Sequence, residues 1–328
     1  GKILIASGTR PAIPHIPGLE GTGIITSDEA LRLKEQPRVL TIIGGGFIAA
    51  ELGHFFGALG TKVNIVQKSH LLLPHEDLEI AAKFTELFKS KYNVYVNSTV
   101  ESVERDASGI FRVSIREKVA TEVRMLESDQ LLVAAGRTPN SDLLDIAKSG
   151  VKTDAKGFVI VDEYLQTSVK GIFALGDVVG RYQFKHAANQ EARYAFNNIV
   201  KPEAMVPVDY TAMPHAVFSS PQVAGVGSTE EELKAGGVAY KKSIYRYADT
   251  AMGHALEDRE GFVKLLVSDE HQDHGAILGC HILGSEAAIL IHEVLVAMKA
   301  GLTAYDLGKV IHIHPALSEV VSRAAAQV

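Results

Sequence analysis

The chain of 328 residues has no tryptophan, one cysteine and only 7% aromatic residues. A single cysteine closes no internal disulfide, which excludes a disulfide-stapled scaffold. Cys280 lies in the strand-like run Ile277-Leu278-Gly279-Cys280-His281-Ile282 and reads as a small buried hydrophobe rather than a nucleophile. No run of Lys and Arg occurs and the net charge is −6, which argues against a nucleic-acid surface. No apolar stretch reaches the roughly 18 residues of a membrane span. One of the longest, Ala287 to Val296, is broken by His292 and Glu293. An initiator methionine is also missing: the chain opens on Gly1, and its first methionine is Met125. The opening Gly1-Lys2-Ile3-Leu4-Ile5-Ala6-Ser7-Gly8 is too short for a signal peptide and reads as a buried strand entering a turn. The expectation is a piece of a longer protein. The cysteine usage and lack of an export signal point to the cytoplasm, with no membrane and no nucleic-acid partner.

What is present is an ordinary globular balance, 46% hydrophobic and 22% charged, at a length that suits two or three domains. Arg10 to Gly18 contains three prolines and excludes helix. Ser27-Asp28-Glu29-Ala30 then reads as a helix start with Ser27 as its cap. Residues 38–66 form a β-α-β unit: a continuous apolar strand over Val39 to Ile43, glycines, a helix over Ala49 to Leu59 with Leu52, Phe55, Phe56 and Leu59 on one side, and a strand over Val63 to Val66. A further helix covers Leu78 to Tyr92. Strand-like alternation around Gly109 fills 94–133 and ends in Gln130 to Gly136. Strands are expected at Val159 to Val161 and at Gly171 to Asp177, and a helix at Ala187 to Ile199. That stretch is too small to hold its own core and should pair with residues 1–17. Four strands (Gln222 to Gly227, Tyr240 to Tyr247, Gly261 to Val267, Ala276 to Ile282) precede helices over 285–300 and 303–308 and a last helix starting near Pro315. The expected fold class is α/β, with a Rossmann-like nucleotide-binding domain at 27–144, a partial second nucleotide domain at 1–26 and 145–207, and an α+β domain at 208–328.

Four motifs carry chemistry. Gly44-x-Gly46-x-x-Ala49 joins a strand to a helix; its glycines permit a tight turn and close approach of a pyrophosphate to the helix N-terminus. The bland alternative is a plain βα connection. The next strand should end in an acid for the 2′-hydroxyl of NAD, but Val66 is followed by Gln67 and Lys68. Gln67 can bond a ribose hydroxyl, and Lys68 can neutralise a 2′-phosphate or serve as a solvated loop charge. The balance leans to NADP without excluding NAD. Gly176-Asp177 ends a buried strand, where a carboxylate can meet a cofactor hydroxyl; on residues alone it is also a common turn. His314-Pro315 precedes Glu319 by a spacing that lets the carboxylate face the imidazole, fix its tautomer and raise its basicity. Two structural histidines beside a helix-start Glu fit the same spacing. His312 would face the same side as His314 in extended chain, but no third ligand of sensible spacing appears, so no metal site is assigned.

Ala6-Ser7-Gly8-Thr9-Arg10-Pro11, the glycine turn, Ala135-Gly136-Arg137-Thr138-Pro139-Asn140, Thr167 to Asp177 and His314-Pro315 to Glu319 occur in an order that resembles the class I pyridine nucleotide–disulfide oxidoreductases. The resemblance covers the whole chain and corresponds to the last two-thirds of a family member. It implies FAD, nicotinamide and homodimer domains, with 208–328 as the dimer domain. It also implies that Gly44, Gly46, Ile48, Glu51, Gln67, Lys68, Val100 and Gly136 serve the NAD(P) nucleotide. Ser7, Gly8, Arg137, Asp177, Gln183, Phe184, Lys185 and His186 would serve FAD. His314 would be the general acid/base, oriented by Glu319 and acting at the flavin and disulfide of the other subunit. The family's redox cysteine pair and first FAD glycine motif would lie upstream of Gly1, so the sequence as it stands is not expected to run disulfide chemistry. His314-Pro315-Ala316-Leu317-Ser318-Glu319 is similar to dihydrolipoamide dehydrogenase, the leading expectation, with a lipoyl domain or small dithiol as partner. Lys185 to Ala192 and Tyr247 to Ala251 resemble mycothione reductase and its relatives, the second expectation. A catalytically silent dimerisation and nucleotide-binding fragment is the reading from another class.

Overall fold

The computed structural model describes residues 1–119, 122–270 and 275–328. In chain order, β1 (Ile3–Ile5) and β2 (Thr9–Pro11) lead to α1 (Ser27–Ala30), β3 (Val39–Ile43), α2 (Phe47–Ala58), β4 (Lys62–Val66) and α3 (Leu78–Lys91). Next come β5 (Asn93–Tyr95), β6 (Ser98–Arg105), β7 (Phe111–Glu117), β8 (Val123–Ser128), β9 (Gln130–Val133), β10 (Arg137–Pro139), β11 (Ile172–Ala174) and α4 (Lys185–Val200). The remainder holds β12 (His215–Val217), β13 (Gln222–Gly227), α5 (Glu230–Gly236), β14 (Tyr240–Arg246), α6 (Ala251–Ala255), β15 (Phe262–Ser268), β16 (Ile277–Gly284), α7 (Ala287–Lys299), α8 (Ala304–Lys309) and α9 (Glu319–Ala325). No helix among the described residues is long and apolar enough to cross a membrane. The chain divides into two compact units, Gly1–Ile13 with Gly136–Tyr210, and Pro14–Ala135 with Thr211–Val328.

The larger unit contains a four-stranded parallel sheet in the order β5-β4-β3-β9. Leu40, Ile42 and Ile65 are fully buried in it, as the continuous apolar runs require of a sheet covered on both faces. Helix α2 packs Ala49, Ala50, Leu52, Gly53 and Phe56 inward, and α3 packs Ile80, Phe84 and Phe88. The antiparallel meander β6-β7-β8 turns at Gly109, whose φ of +89° suits glycine. Thr211–Val328 builds a five-stranded antiparallel sheet in the order β12-β13-β16-β15-β14. Helices α7 and α9 cover it: Ile291, Val294, Val320, Val321 and Ala324 sit in one core with Leu265, Cys280 and Ile282. Each fully buried valine there contributes about 1.5–3 kcal/mol.

A buried ion cluster joins α3 to this second sheet. Asp77 caps α3 by accepting from the Glu79 amide at 3.1 Å and also accepts from the Glu230 amide at the start of α5. Lys264 on β15, with no exposed side chain, donates to both Asp77 oxygens at 2.8 Å and reaches Glu230 at 2.6 Å. Burial alone would raise both carboxyls, but Lys264 and its neighbours hold Asp77 and Glu230 well below the usual carboxylate range.

The smaller unit pairs β1 with β11 in parallel and β2 with β10 antiparallel. Contrary to the expectation that this stretch cannot hold a core, it has two small ones, around Val159, Ala174 and Val178 and around Leu165, Ala195 and Val208. Asn198 on α4 substitutes for missing backbone pairing: it donates to the Tyr164 and Val206 carbonyls and accepts from the Val206 amide.

Other expectations need correction. No strand forms over 159–161; Val159 and Val161 make only isolated bridges to Thr153 and Thr167. The cap of α1 is Thr26, one residue earlier than Ser27, because Thr26 and Glu29 complete a capping box. Phe55 and Leu59 are 51% and 57% exposed, so the inward face of α2 is its small residues with Leu52 and Phe56. The last helix begins at Glu319 rather than near Pro315. The short β2 and β12 and helices α5 and α6 fell outside the periodicity reading.

Candidate functional site

The nucleotide turn is built by backbone geometry. Gly44 follows β3 with φ +122°, and a Cβ there would lie 2.2 Å from the Ala134 carbonyl oxygen. Only glycine passes that close to the end of β9. A Cβ on Gly45 would meet the Gln67 side chain at 2.8 Å. Gly46 is the N-cap of α2, supplies no side-chain cap and has nothing within 4 Å of its Cβ position. The first-turn amides of α2 are therefore uncapped beside open space at the positive end of a 12-residue helix. This fits a dinucleotide pyrophosphate.

The side chains expected to join that turn are placed variously. Gln67 is buried; its Oε1 accepts from the Lys68 amide at 2.9 Å and its Nε2 donates to Leu71 O at 3.4 Å, so the loop itself uses its carboxamide. Lys68 is exposed. Ile48 packs partly against the parallel-sheet core, and Val100 on β6 packs partly against the meander core. Glu51 accepts from the Phe218 amide at 2.9 Å, and burial raises its pKa.

In the smaller unit, Gly8 has φ +67° and Gly136 φ +137°. Asn140 clasps the first turn, donating from its side chain to Ser7 O and from its amide to Gly8 O. The Ser7 hydroxyl is buried without a hydrogen-bond partner among the described residues. Arg137 donates to the Thr9 hydroxyl and carbonyl, and the Thr9 hydroxyl donates to Asp177 at 3.2 Å. Gln183 to His186 bracket the N-terminus of α4, where Phe184 gives no side-chain cap and its ring lies 5.2 Å from the His186 ring, nearly parallel. The orphaned Ser7 hydroxyl, the uncapped helix start and the half-buried Asp177 carboxylate fit a ribityl and flavin group. Glu191 was missed by sequence reasoning. It is buried, accepts from the Gly176 amide at 2.6 Å and from the Tyr210 hydroxyl at 2.7 Å, and so fixes the turn that presents Asp177.

His314 and Glu319 meet. Nδ1 lies 3.0 and 3.1 Å from the two Glu319 oxygens, and Glu319 also accepts from the Ala316 amide. Hydrogen bonding to His314 holds the carboxyl below its ordinary value. The imidazole side chain is 70% exposed while Glu319 is 11% exposed, so an anchored carboxylate orients a ring whose Nε2 remains for an outside partner. His312 does not share this arrangement. Its Nδ1 bonds the Val310 carbonyl at 2.8 Å and its Nε2 meets Glu293 on α7 at 3.0 Å. Glu293 was visible in the sequence only as a charge interrupting an apolar helix.

The comparisons agree with these features. The family described as pyridine nucleotide-disulphide oxidoreductase matches residues 1–192, and its dimerisation domain matches residues 213–325. Mycothione reductase of Mycobacterium tuberculosis is 40% identical over 328 residues, covering 98% of this chain and 69% of that protein. Dihydrolipoyl dehydrogenase of Haemophilus influenzae is 35% identical over 323 residues, covering 98% of this chain and 66% of that protein. Among solved structures, the HOCl-induced flavoprotein disulfide reductase RclA from Escherichia coli superposes with a TM-score of 0.88 at 29% identity, covering all of this chain and 73% of that one. LpdA from Mycobacterium tuberculosis gives 0.87 at 26%, covering 99% and 69%. The chain spans about two-thirds of the length of these curated relatives. Glycine turn, oriented imidazole, family matches and identity all lead to one assignment: the chain belongs to the pyridine nucleotide-disulphide oxidoreductases, enzymes that use FAD and NAD(P)H.

Proposed function

We propose that this chain is the nucleotide-binding and dimerisation part of a dithiol–disulfide oxidoreductase in which His314 moves the thiol proton. The observation that carries the reading is the His314–Glu319 pair. With Nδ1 directed at a carboxylate, the ring keeps its proton there and uses Nε2 as the working base. Bound FAD and nicotinamide supply the hydride and electron chemistry. Gly44, Gly46, Ile48, Glu51, Lys68, Val100 and Gly136 would hold the nicotinamide nucleotide, with Gln67 shaping the loop beside it. Ser7, Gly8, Arg137, Asp177 and Gln183 to His186 would hold FAD. Residues 1–26 with 145–207, 27–144 and 208–328 would be the FAD, NAD(P) and interface domains. In a homodimer formed through the last of these, His314 would serve the partner's redox cysteines. A reducing cytoplasm suits a chain whose one cysteine is buried.

Two substrate readings each rest on an observation. The 40% identity to a mycothione reductase favours a low-molecular-weight disulfide. The run His314-Pro315-Ala316-Leu317-Ser318-Glu319 favours dihydrolipoamide, free or on a lipoyl domain. Steady-state rates with both, each with NAD(H) and NADP(H), decide between them. The test of the common mechanism is His314→Gln in the FAD-loaded enzyme. Dithiol turnover should fall by about 10²–10⁴-fold while nicotinamide-driven reduction of a dye persists; undiminished dithiol turnover removes the assigned role.

A further inference from the structure

The segment carrying His314 is a strap without regular structure between α8 and α9. Among the described residues, Ile311 to Pro315 make no backbone hydrogen bonds, and Ile311 and Ile313 are 97% and 79% exposed. Side chains hold it instead. Glu319 on α9 grips one end through His314 and the Ala316 amide. Glu293 on α7 grips the other through His312.

The His312 contacts fix a proton. Nδ1 faces the Val310 carbonyl at 2.8 Å, which only accepts, so Nδ1 carries hydrogen. Nε2 faces a Glu293 oxygen at 3.0 Å, and a hydrogen bond there requires a proton on the ring or on the carboxyl. The side chains are 10% and 27% exposed. The second carboxyl oxygen, Oε1, is buried without a hydrogen-bond partner among the described residues, so a lone carboxylate is poorly solvated there. Other groups facing the pair are Glu319 from α9, which favours the cationic ring, and the buried Cys280 thiol on β16 beside Glu293.

We infer that Glu293 and His312 form a proton-sharing clamp that positions the His314 strap for its proton exchange. The inference rests on the acid–base reading of His314 above. His312 is a positioning residue: a cation held two residues from His314 by an anion on α7. Burial alone would lower its pKa, but Glu293 and the Val310 carbonyl together raise it, and burial raises Glu293. Each ring nitrogen thus faces an acceptor, the Val310 carbonyl at Nδ1 and the Glu293 carboxylate at Nε2, and the shared proton is placed on the ring.

The experiment uses the FAD-loaded full-length enzyme with isotope-labelled histidine. Nitrogen chemical shifts across pH 5–9 report the protonation of the His312 ring directly, independent of turnover. Both nitrogens should remain protonated at pH 7 in the wild type. In Glu293→Gln, Nε2 should lose its proton at that pH, and the pH–rate profile of dithiol oxidation should move by about half to one pH unit, with KM unchanged. Glu293→Asp should restore the wild-type profile. A wild-type His312 with a single proton at pH 7 overturns the clamp without any variant. A Glu293→Gln profile that overlays the wild type, with only kcat or Tm reduced, also overturns it and leaves the reading of His314 intact. Full dithiol turnover in His314→Gln removes both.

Discussion

Replacing Lys264 by methionine tests how the ion cluster holds α3 against the second sheet. The substitution keeps the aliphatic stem and removes the only fully buried cation of the cluster. Asp77, with no exposed side chain, and Glu230, 7% exposed, are then left with oxygens within 4.8 Å of each other. Stranding buried charge in this way costs about 3–5 kcal/mol. The structure points to the lower end of that range. Asp77 keeps two backbone amide donors, and Glu230 keeps Lys242, Lys234 and the Tyr240 hydroxyl. The Glu79 contact adds little, because that carboxylate is 42% exposed and screened by water. About 3 kcal/mol at pH 7 is expected, read by urea denaturation followed by circular dichroism, with hydrogen exchange of the α3 amides locating the loss. The pH dependence has a definite sign. In the wild type both carboxyls are held below the usual range, so their stabilisation is complete above about pH 4 and fades as the pH falls through their folded values. In the variant the carboxyls protonate more readily, so the gap between the two proteins narrows on acidification. A loss under about 1 kcal/mol at pH 7, or a gap that widens towards acid, would refute the reasoning.

Three further outcomes follow from the geometry. Gly44→Ala should destabilise the fold by more than about 1 kcal/mol, because its Cβ would sit 2.2 Å from Ala134 O at φ +122°; Gly46→Ala has open space and should leave Tm unchanged while weakening nicotinamide nucleotide binding in a fluorescence titration. The Glu76 carboxylate, 2.8 Å from His215, outweighs the burial that would lower this histidine and raises it above its ordinary value. Its stabilisation is full below about pH 6.5 and is lost as the pH rises through the folded value, so Glu76→Gln should flatten the alkaline fall in Tm. Lys68→Ala should raise KM for NADPH about tenfold with little change for NADH; equal effects on both would exclude a 2′-phosphate contact.

Much of the fold was legible because its signals are local. Val39 to Ile43 is apolar throughout, since a parallel strand is covered on both faces, and Gln222 to Gly227 appears as β13 with the expected bounds. The failures have equally physical causes. Phe55 and Leu59 look like core by spacing, yet Ala49, Ala50 and Gly53 face the sheet, where only small side chains permit close helix–strand approach. Val159 to Val161 has strand composition, but Val159 and Val161 make only isolated bridges, to Thr153 and Thr167. For Gln67, which can bond a ribose hydroxyl, the sequence does not show that its carboxamide also bonds the Lys68 amide and the Leu71 carbonyl.

By itself the sequence determined the glycine turn after β3 and put Glu319 five residues from His314, within reach of it, because both depend on residues close in the chain. Tertiary structure alone decided that Asp77 would meet Lys264, 187 positions away, that Glu51 would bond the Phe218 amide across 167 positions, and that Glu293 would take His312 rather than solvent. These partners are chosen by which buried polar groups packing brings together, and a buried donor or acceptor must be matched wherever in the chain its complement lies.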